Sequence, residues 1–305
     1  QYRRGPLYRR REERRFPQRF RAILMSGAPD ILSTATIANP RLWRLGMILD
    51  ADGGTLDVVA VSTVDDEPML CRSIALAKGL EPLRALEEAV YDNPLLLADF
   101  EGVTLLLRTP HFSVLPASLA ADDEALDAAS RLLWPCPEHP LASVATPVAG
   151  TDAAVLAALP ADVKAFIGRT FPDARVMHVL VPETAYFAAK GRPGGRARVC
   201  AVAAPGSVDL MAFSAEGQLL GATSYGCTAA ADMAYYAAAL AQVCGIVSGD
   251  LQFFVAGNPE PRDAMIEALR AFAPNVASWV IPAGMAAEGA GPDTPFPLLI
   301  LPLCE

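Results

Sequence analysis

The stretch Ala204-Pro205-Gly206-Ser207-Val208-Asp209-Leu210-Met211-Ala212-Phe213 places a Pro-Gly turn before a β-prone apolar run. A second such run, from Arg198, precedes it, a third ends near Gly226, and a long apolar segment from Thr228 to Cys244 reads as a helix. An offset of 152 residues, Gly54 to Gly206, aligns this stretch with Asp52-Gly53-Gly54-Thr55-Leu56-Asp57-Val58-Val59-Ala60-Val61. Glycine meets glycine, Thr55 meets Ser207, Asp57 meets Asp209, and the apolar positions coincide.

The order of elements repeats with the motif. In the first half, Leu45-Gly46-Met47-Ile48-Leu49, the run after Asp52-Gly53-Gly54, and Met69 to Leu76 predict three strands. Asp-Gly between β-prone runs marks a hairpin, because the turn demands a positive φ that glycine adopts without strain. A helix follows through Leu83, Leu86 and Val90, ending before Asn93-Pro94, and Val103 to Leu107 predicts a strand buried on both faces. Three strands, a helix and a strand in each half imply two copies of one α/β unit. The expected class is therefore α/β, with two similar halves that are each a mixed sheet with helices.

Between the halves, Phe112 to Leu115 predicts a short strand, Asp122 to Leu133 a helix with an acidic first turn, and Trp134 to Pro147 an irregular Pro-rich connection. Ala153 to Leu159 reads as a strand returning to the first half, and Pro160 opens a helix. The expected division is a basic extension over 1–24, a first half over 25–147 and a second over 148–305, with the boundary between 134 and 160. Thr228 is expected to cap its helix, with Asp232 in the first turn. Prolines leave Phe296 to Cys304 open between helix and strand.

Composition narrows the function classes. Among 305 residues, 52% are hydrophobic and 19% charged, enough apolar material for a sizeable core. Residues 1–21 hold nine Arg and two Glu, +7, so a total of −9 leaves −16 on the rest. An acidic body disfavours nucleic acid and anionic membranes, which need Lys/Arg surfaces, so a nucleic-acid partner is expected only through the basic arm. Cys71, Cys136, Cys200, Cys227, Cys244 and Cys304 are scattered singly and read as free thiols of a cytoplasmic protein. No run approaches the roughly 18 apolar residues of a membrane span.

An Asp-x-Gly-Thr hairpin in the first half, its counterpart in the second, and a late strand-to-glycine turn resemble the actin, Hsp70 and sugar-kinase superfamily. More closely, the chain resembles a bacterial family, domain of unknown function 3822, a divergent actin-like group. The residues that carry this are Phe112-Ser113-Val114-Leu115-Pro116-Ala117, Phe171-Pro172-Asp173-Ala174 with His178, Asp232 with Tyr235-Tyr236, and Cys304-Glu305. The resemblance implies an actin-like, ribonuclease H-like duplicated fold and no established activity.

In that superfamily the two hairpins hold the phosphates of ATP, and their acids organise magnesium. Asp52, Gly53, Gly54 and Thr55 fit the first loop, and Gly206, Ser207 and Gly257 would complete a nucleotide site. In the second loop, however, Ala204 stands where an acid is expected, and Pro205 lacks the N–H that would meet a phosphate. The reading is a non-catalytic actin-like scaffold or regulatory protein with an unidentified protein partner, no cofactor, no metal site and no catalytic residue. The alternative is an ATP-binding or phosphotransfer protein using ATP with magnesium. Asp57 and Asp209 are expected to be solvated, or to face a shared cleft. Cys227, Cys136 with His139, His111 and His178 are expected to be structural residues, as are Tyr235 and Tyr236.

Overall fold

The computed structural model describes residues 37–50, 54–64, 69–137, 139–191, 195–247, 249, 251–281, 291 and 293–304. The basic extension, Asp52 and Gly53 lie outside the described residues.

The first sheet contains β1 (Trp43–Asp50), β2 (Thr55–Ser62), β3 (Leu70–Ala75), β4 (Gly102–Arg108) and β8 (Arg175–His178), in the order β3-β2-β1-β4-β8. β1 to β3 are antiparallel, while β1, β4 and β8 run parallel. The second sheet contains β9 (Arg198–Ala204), β10 (Ser207–Phe213), β11 (Leu219–Gly226), β12 (Gln252–Gly257) and β13 (Val276–Ser278). Its order, β11-β10-β9-β12-β13, has the same pattern of directions. The duplication is thus structural, strand for strand.

The halves differ in what lies between their fourth and fifth strands. In the second, α6 (Pro259–Arg270) alone connects β12 to β13. In the first, the chain inserts a third sheet of β5 (Phe112–Pro116), β6 (Leu141–Pro147) and β7 (Ala153–Pro160), together with α2 (Asp123–Leu133) and α3 (Ala161–Thr170). The Pro-rich connection therefore holds a strand, contrary to the sequence reading. Its prolines lie outside β6 or at its final position, so the intervening residues can pair with β7. Hydrogen bonding carries the first sheet on to His178, past the 147/148 division.

Each sheet is covered because its central strands are apolar on both faces. Five consecutive buried residues in β1 and six in β10 have this pattern. α1 (Pro82–Tyr91) and α3 cover one face of the first sheet, and α5 (Ala230–Val243) and α6 one face of the second. The facing sides share α4 (Leu180–Lys190) and α7 (Phe296–Cys304), the open C-terminal segment, which is a helix. Phe296 and Ile300 of α7 join Phe187 of α4 against Met211 and Phe213, while Leu298 and Leu301 press on Ile48 and Val59. Gly46 permits this approach, since a β-carbon there would sit 3.0 Å from both Leu301 Cδ1 and Val59 Cγ2.

α5 starts later than expected. Its N-cap is Ala229, without a side-chain hydrogen bond, so Thr228 is not the cap, although Asp232 does lie in the first turn. Asp122 is a side-chain cap, accepting from Ala125 N at 3.0 Å.

Candidate functional site

The two equivalent hairpins end where the sheets come together. In the second, Ala204 pairs with Ser207 across Pro205-Gly206. Gly206 has φ +87°, which suits a glycine after proline in a type II turn, and its carbonyl accepts from Cys227 N at 2.9 Å. In the first, the ladder closes at Asp50 and Thr55, so four residues form the connection. The constant offset therefore slips by two residues upstream of the turn. By strand register the counterpart of Ala204 is Asp50, not Asp52.

Asp50 lies beside Arg108 at the parallel end of β1 and β4. The guanidinium of Arg108 crosses to the other sheet. Its Nη1 donates to Ser207 Oγ at 3.0 Å and to Asp209 Oδ2 and Oδ1 at 2.9 and 3.2 Å, while its Nε lies 3.8 Å from Asp50 Oδ2. Asp209 is 0% exposed and also accepts from Ser224 Oγ on β11. A solvated Asp209 is thus ruled out: its alternation on β10 points it between the sheets, where a buried carboxylate needs a cation and donors. Burial alone would lower the Arg108 pKa, but the carboxylates of Asp209, Glu183 and Asp50 outweigh it and raise the pKa.

Glu183 and His178 complete the cluster. Glu183 is in the first turn of α4, fully buried, and neither carboxyl oxygen has a hydrogen-bond partner; the hydroxyl of adjacent Thr184 is likewise unpaired. Burial, reinforced by Asp209 and opposed by Arg108, pushes the Glu183 pKa well above the usual carboxylate range. His178, at the end of β8, stacks on Phe112 at 4.5 Å. Its Nδ1 accepts from Leu180 N at 3.2 Å, which leaves Nε2–H facing Thr109 O at 3.3 Å. Burial lowers its pKa to about 4, so the ring is neutral.

The expected site residues are only partly brought together. Ser207 joins the cluster as an acceptor for Arg108, and Gly206 shapes the turn beside it. Gly54, with φ +68°, accepts from Leu76 N at 2.8 Å, and Thr55 Oγ1 lies 3.5 Å from Asp57 Oδ2. Gly257 has φ +106°, and a β-carbon there would collide with the Ala203 backbone, so close strand packing accounts for this glycine. Asp57 is half-buried; burial raises its pKa, against hydrogen bonds from Ser73 and Thr55.

Other candidates lie apart from this cluster. The Cys227 thiol is pushed up by burial and by Asp232 and Asp209, which disfavours a nucleophilic thiolate. Tyr225 stacks on Tyr236 at 4.1 Å, with Tyr235 exposed beside it. Among the described residues no three His, Cys, Asp or Glu side chains form a metal-binding group, and no helix is long and apolar enough to cross a membrane. Sequence reasoning missed Arg108 and Glu183. The available signals were a charge ending the apolar run Val103 to Leu107, and a lone acid within Val179 to Ala185.

The family model described as a protein of unknown function (DUF3822) matches residues 46–276. No curated protein matches the sequence. A solved protein of Bacteroides thetaiotaomicron, with actin-like ATPase fold and unknown function, is similar at TM-score 0.71 and 16% identity, covering 92% of this chain and all of that one. A chain of a PilM–PilN type IV pilus biogenesis complex is similar at TM-score 0.52 and 15% identity, covering 87% of this chain and all of that one. These likenesses establish the actin-like fold.

Proposed function

The chain belongs to the family described as a protein of unknown function (DUF3822), and within it we propose an actin-like scaffold or regulatory binding protein whose inter-lobe cleft is closed by its own Arg108. The observation that carries this reading is the guanidinium spanning Asp50 on one sheet and Ser207 and Asp209 on the other. A cation fixed there already satisfies groups that a magnesium-nucleotide would need. On the second hairpin the residues do not fit such a ligand: Ala204 supplies no carboxylate, Pro205 no N–H, and the Ser207 hydroxyl is held by Arg108. The complex of the PilM-like fold with PilN supports a protein partner by analogy alone.

Calorimetry of the full chain with ATP and magnesium is expected to register no binding. Tight, magnesium-dependent binding by the wild type would overturn the proposal. The alternative, ATP binding or phosphotransfer through Asp52 to Thr55 with Gly206, Ser207 and Gly257, is favoured by the left-handed turns at Gly54 and Gly206. It requires Asp52→Ala to abolish nucleotide binding. Binding that emerges only in Arg108→Ala would identify the arginine as a plug in an otherwise competent cleft.

A further inference from the structure

Glu183 is used by nothing in the closed cleft, and its position is costly. It sits at the start of the helix that lies between the sheets, with no exposed surface and no donor to either oxygen. A carboxylate buried without donors is strongly disfavoured, whereas the neutral acid is tolerated. It acts electrostatically on both members of the inter-lobe pair, Asp209 on β10 and Arg108 on β4.

We propose that Glu183 is a proton-operated latch on the contact between the lobes: as the neutral acid it leaves the Arg108–Asp209 pair intact, and on losing its proton to solvent it loosens that pair. The loosening follows from charge. Ionised Glu183 places a second buried carboxylate against Asp209 and competes with it for one guanidinium. The latch rests on the reading that Arg108 closes the cleft.

The neighbouring charges leave few other candidates for this response. β4 brings Arg108, β10 brings Asp209, and β8 leads into α4 through His178, which is neutral with a pKa of about 4. α7 brings the Cys304 thiol, near Pro182 O and pushed up to about 11. β9 brings the buried Arg198, which donates to Phe187 O at 3.3 Å, and the Cys200 thiol, pushed up to about 12; β7 has no ionisable side chain and β11 only Tyr225. Since burial raises the Glu183 pKa above its unfolded value, its contribution is present at low pH and is lost as pH rises towards the folded value.

The test compares full-length wild type with Glu183→Gln by hydrogen exchange of residues 207–213 and by urea midpoint, from about pH 5 to about pH 9. Both proteins share the acid-side loss set by His178, so the difference between them is what reads Glu183: as pH rises, wild-type exchange beyond its intrinsic pH dependence should accelerate, and its midpoint fall, relative to Glu183→Gln. Equal pH dependence in the two proteins would overturn the latch. Should the variant not fold, infrared spectroscopy of the wild type decides the matter. A protonated carboxylic acid band at neutral pH that fades as pH rises, together with faster exchange of 207–213, supports the latch; absence of that band refutes it. Nucleotide binding by calorimetry would remove the plugged-cleft reading while leaving the Glu183 protonation result standing.

Discussion

Replacing Asp209 by Ala should destabilise the protein by about 3–5 kcal/mol, the cost of leaving a buried charge without its partner. At 2.9 Å and an effective dielectric of about 20, the attraction between Arg108 and Asp209 is about 6 kcal/mol, while desolvating the two ions costs several kcal/mol each. The intact pair therefore contributes little net stability. Truncating one member is different, because the Arg108 side chain is only 14% exposed and Asp50, 3.8 Å away, already interacts with it in the wild type. Urea unfolding at neutral pH should show a lower midpoint with an unchanged slope. Arg41 and Asp99 provide the comparison: they are closer, at 2.6 Å, but 76% and 73% exposed, so Asp99→Ala should cost about 1 kcal/mol or less. The double replacement Arg108→Met with Asp209→Leu should recover most of the loss. A cost for Asp209→Ala no larger than that for Asp99→Ala would refute the reasoning, because the pair would then be behaving as a solvated one.

Two further consequences can be checked on the same protein. His178 is neutral in the fold with a pKa of about 4, against about 6.5 unfolded, so stability is present above about pH 6.5 and is lost as pH falls towards 4. Relative to His178→Phe, compatible with the Phe112 stack, the wild type should lose about 2 kcal/mol between about pH 7.5 and about pH 5 in chemical denaturation; equal pH dependence in the two would place the acid sensitivity elsewhere. Gly46→Ala should lower stability by about 1–3 kcal/mol, because the new methyl meets Leu301 and Val59 at 3.0 Å, and a variant as stable as wild type would mean that α7 can shift off β1 freely.

Most of the doubled architecture was legible because it is written in local signals. Pro205-Gly206, the apolar runs either side of it, and the succession of strands and helix around Ser207 and Thr55 each carry their own turn or periodicity cue. β6 was missed because the prolines around Leu141 to Pro147 argue for a break, whereas the strand exists through pairing with β7, a partner no local pattern reveals. The site was less legible for the same reason. Arg108 and Asp209 are 101 residues apart, and only the approach of the two sheets brings them to 2.9 Å. Glu183 carried a cue that propensity discounts: an acid in a first helical turn is ordinary, until burial removes the water that would make it so.

Strand register explains why the two copies ended up with one shared ion pair. Asp57 stands opposite Ser73, and Asp209 opposite Ser224, so the acid–hydroxyl pairing survives in both. At the strand ends the copies diverge: Asp50 lies opposite Arg108 in the first, whereas in the second Gly257 lies opposite Ala203, which brings Ala204 and Asn258 to the equivalent positions. The first copy thus has a cation at that point and the second has none. Asp209, fully buried, has no compensating charge within its own sheet, and Arg108 reaches across to supply it. The second hairpin has Ala204 where the first has Asp50, and its buried Asp209 depends on Arg108 of the first lobe for a counter-charge. The same asymmetry between the copies that leaves the second strand end without charge thus ties the two lobes together.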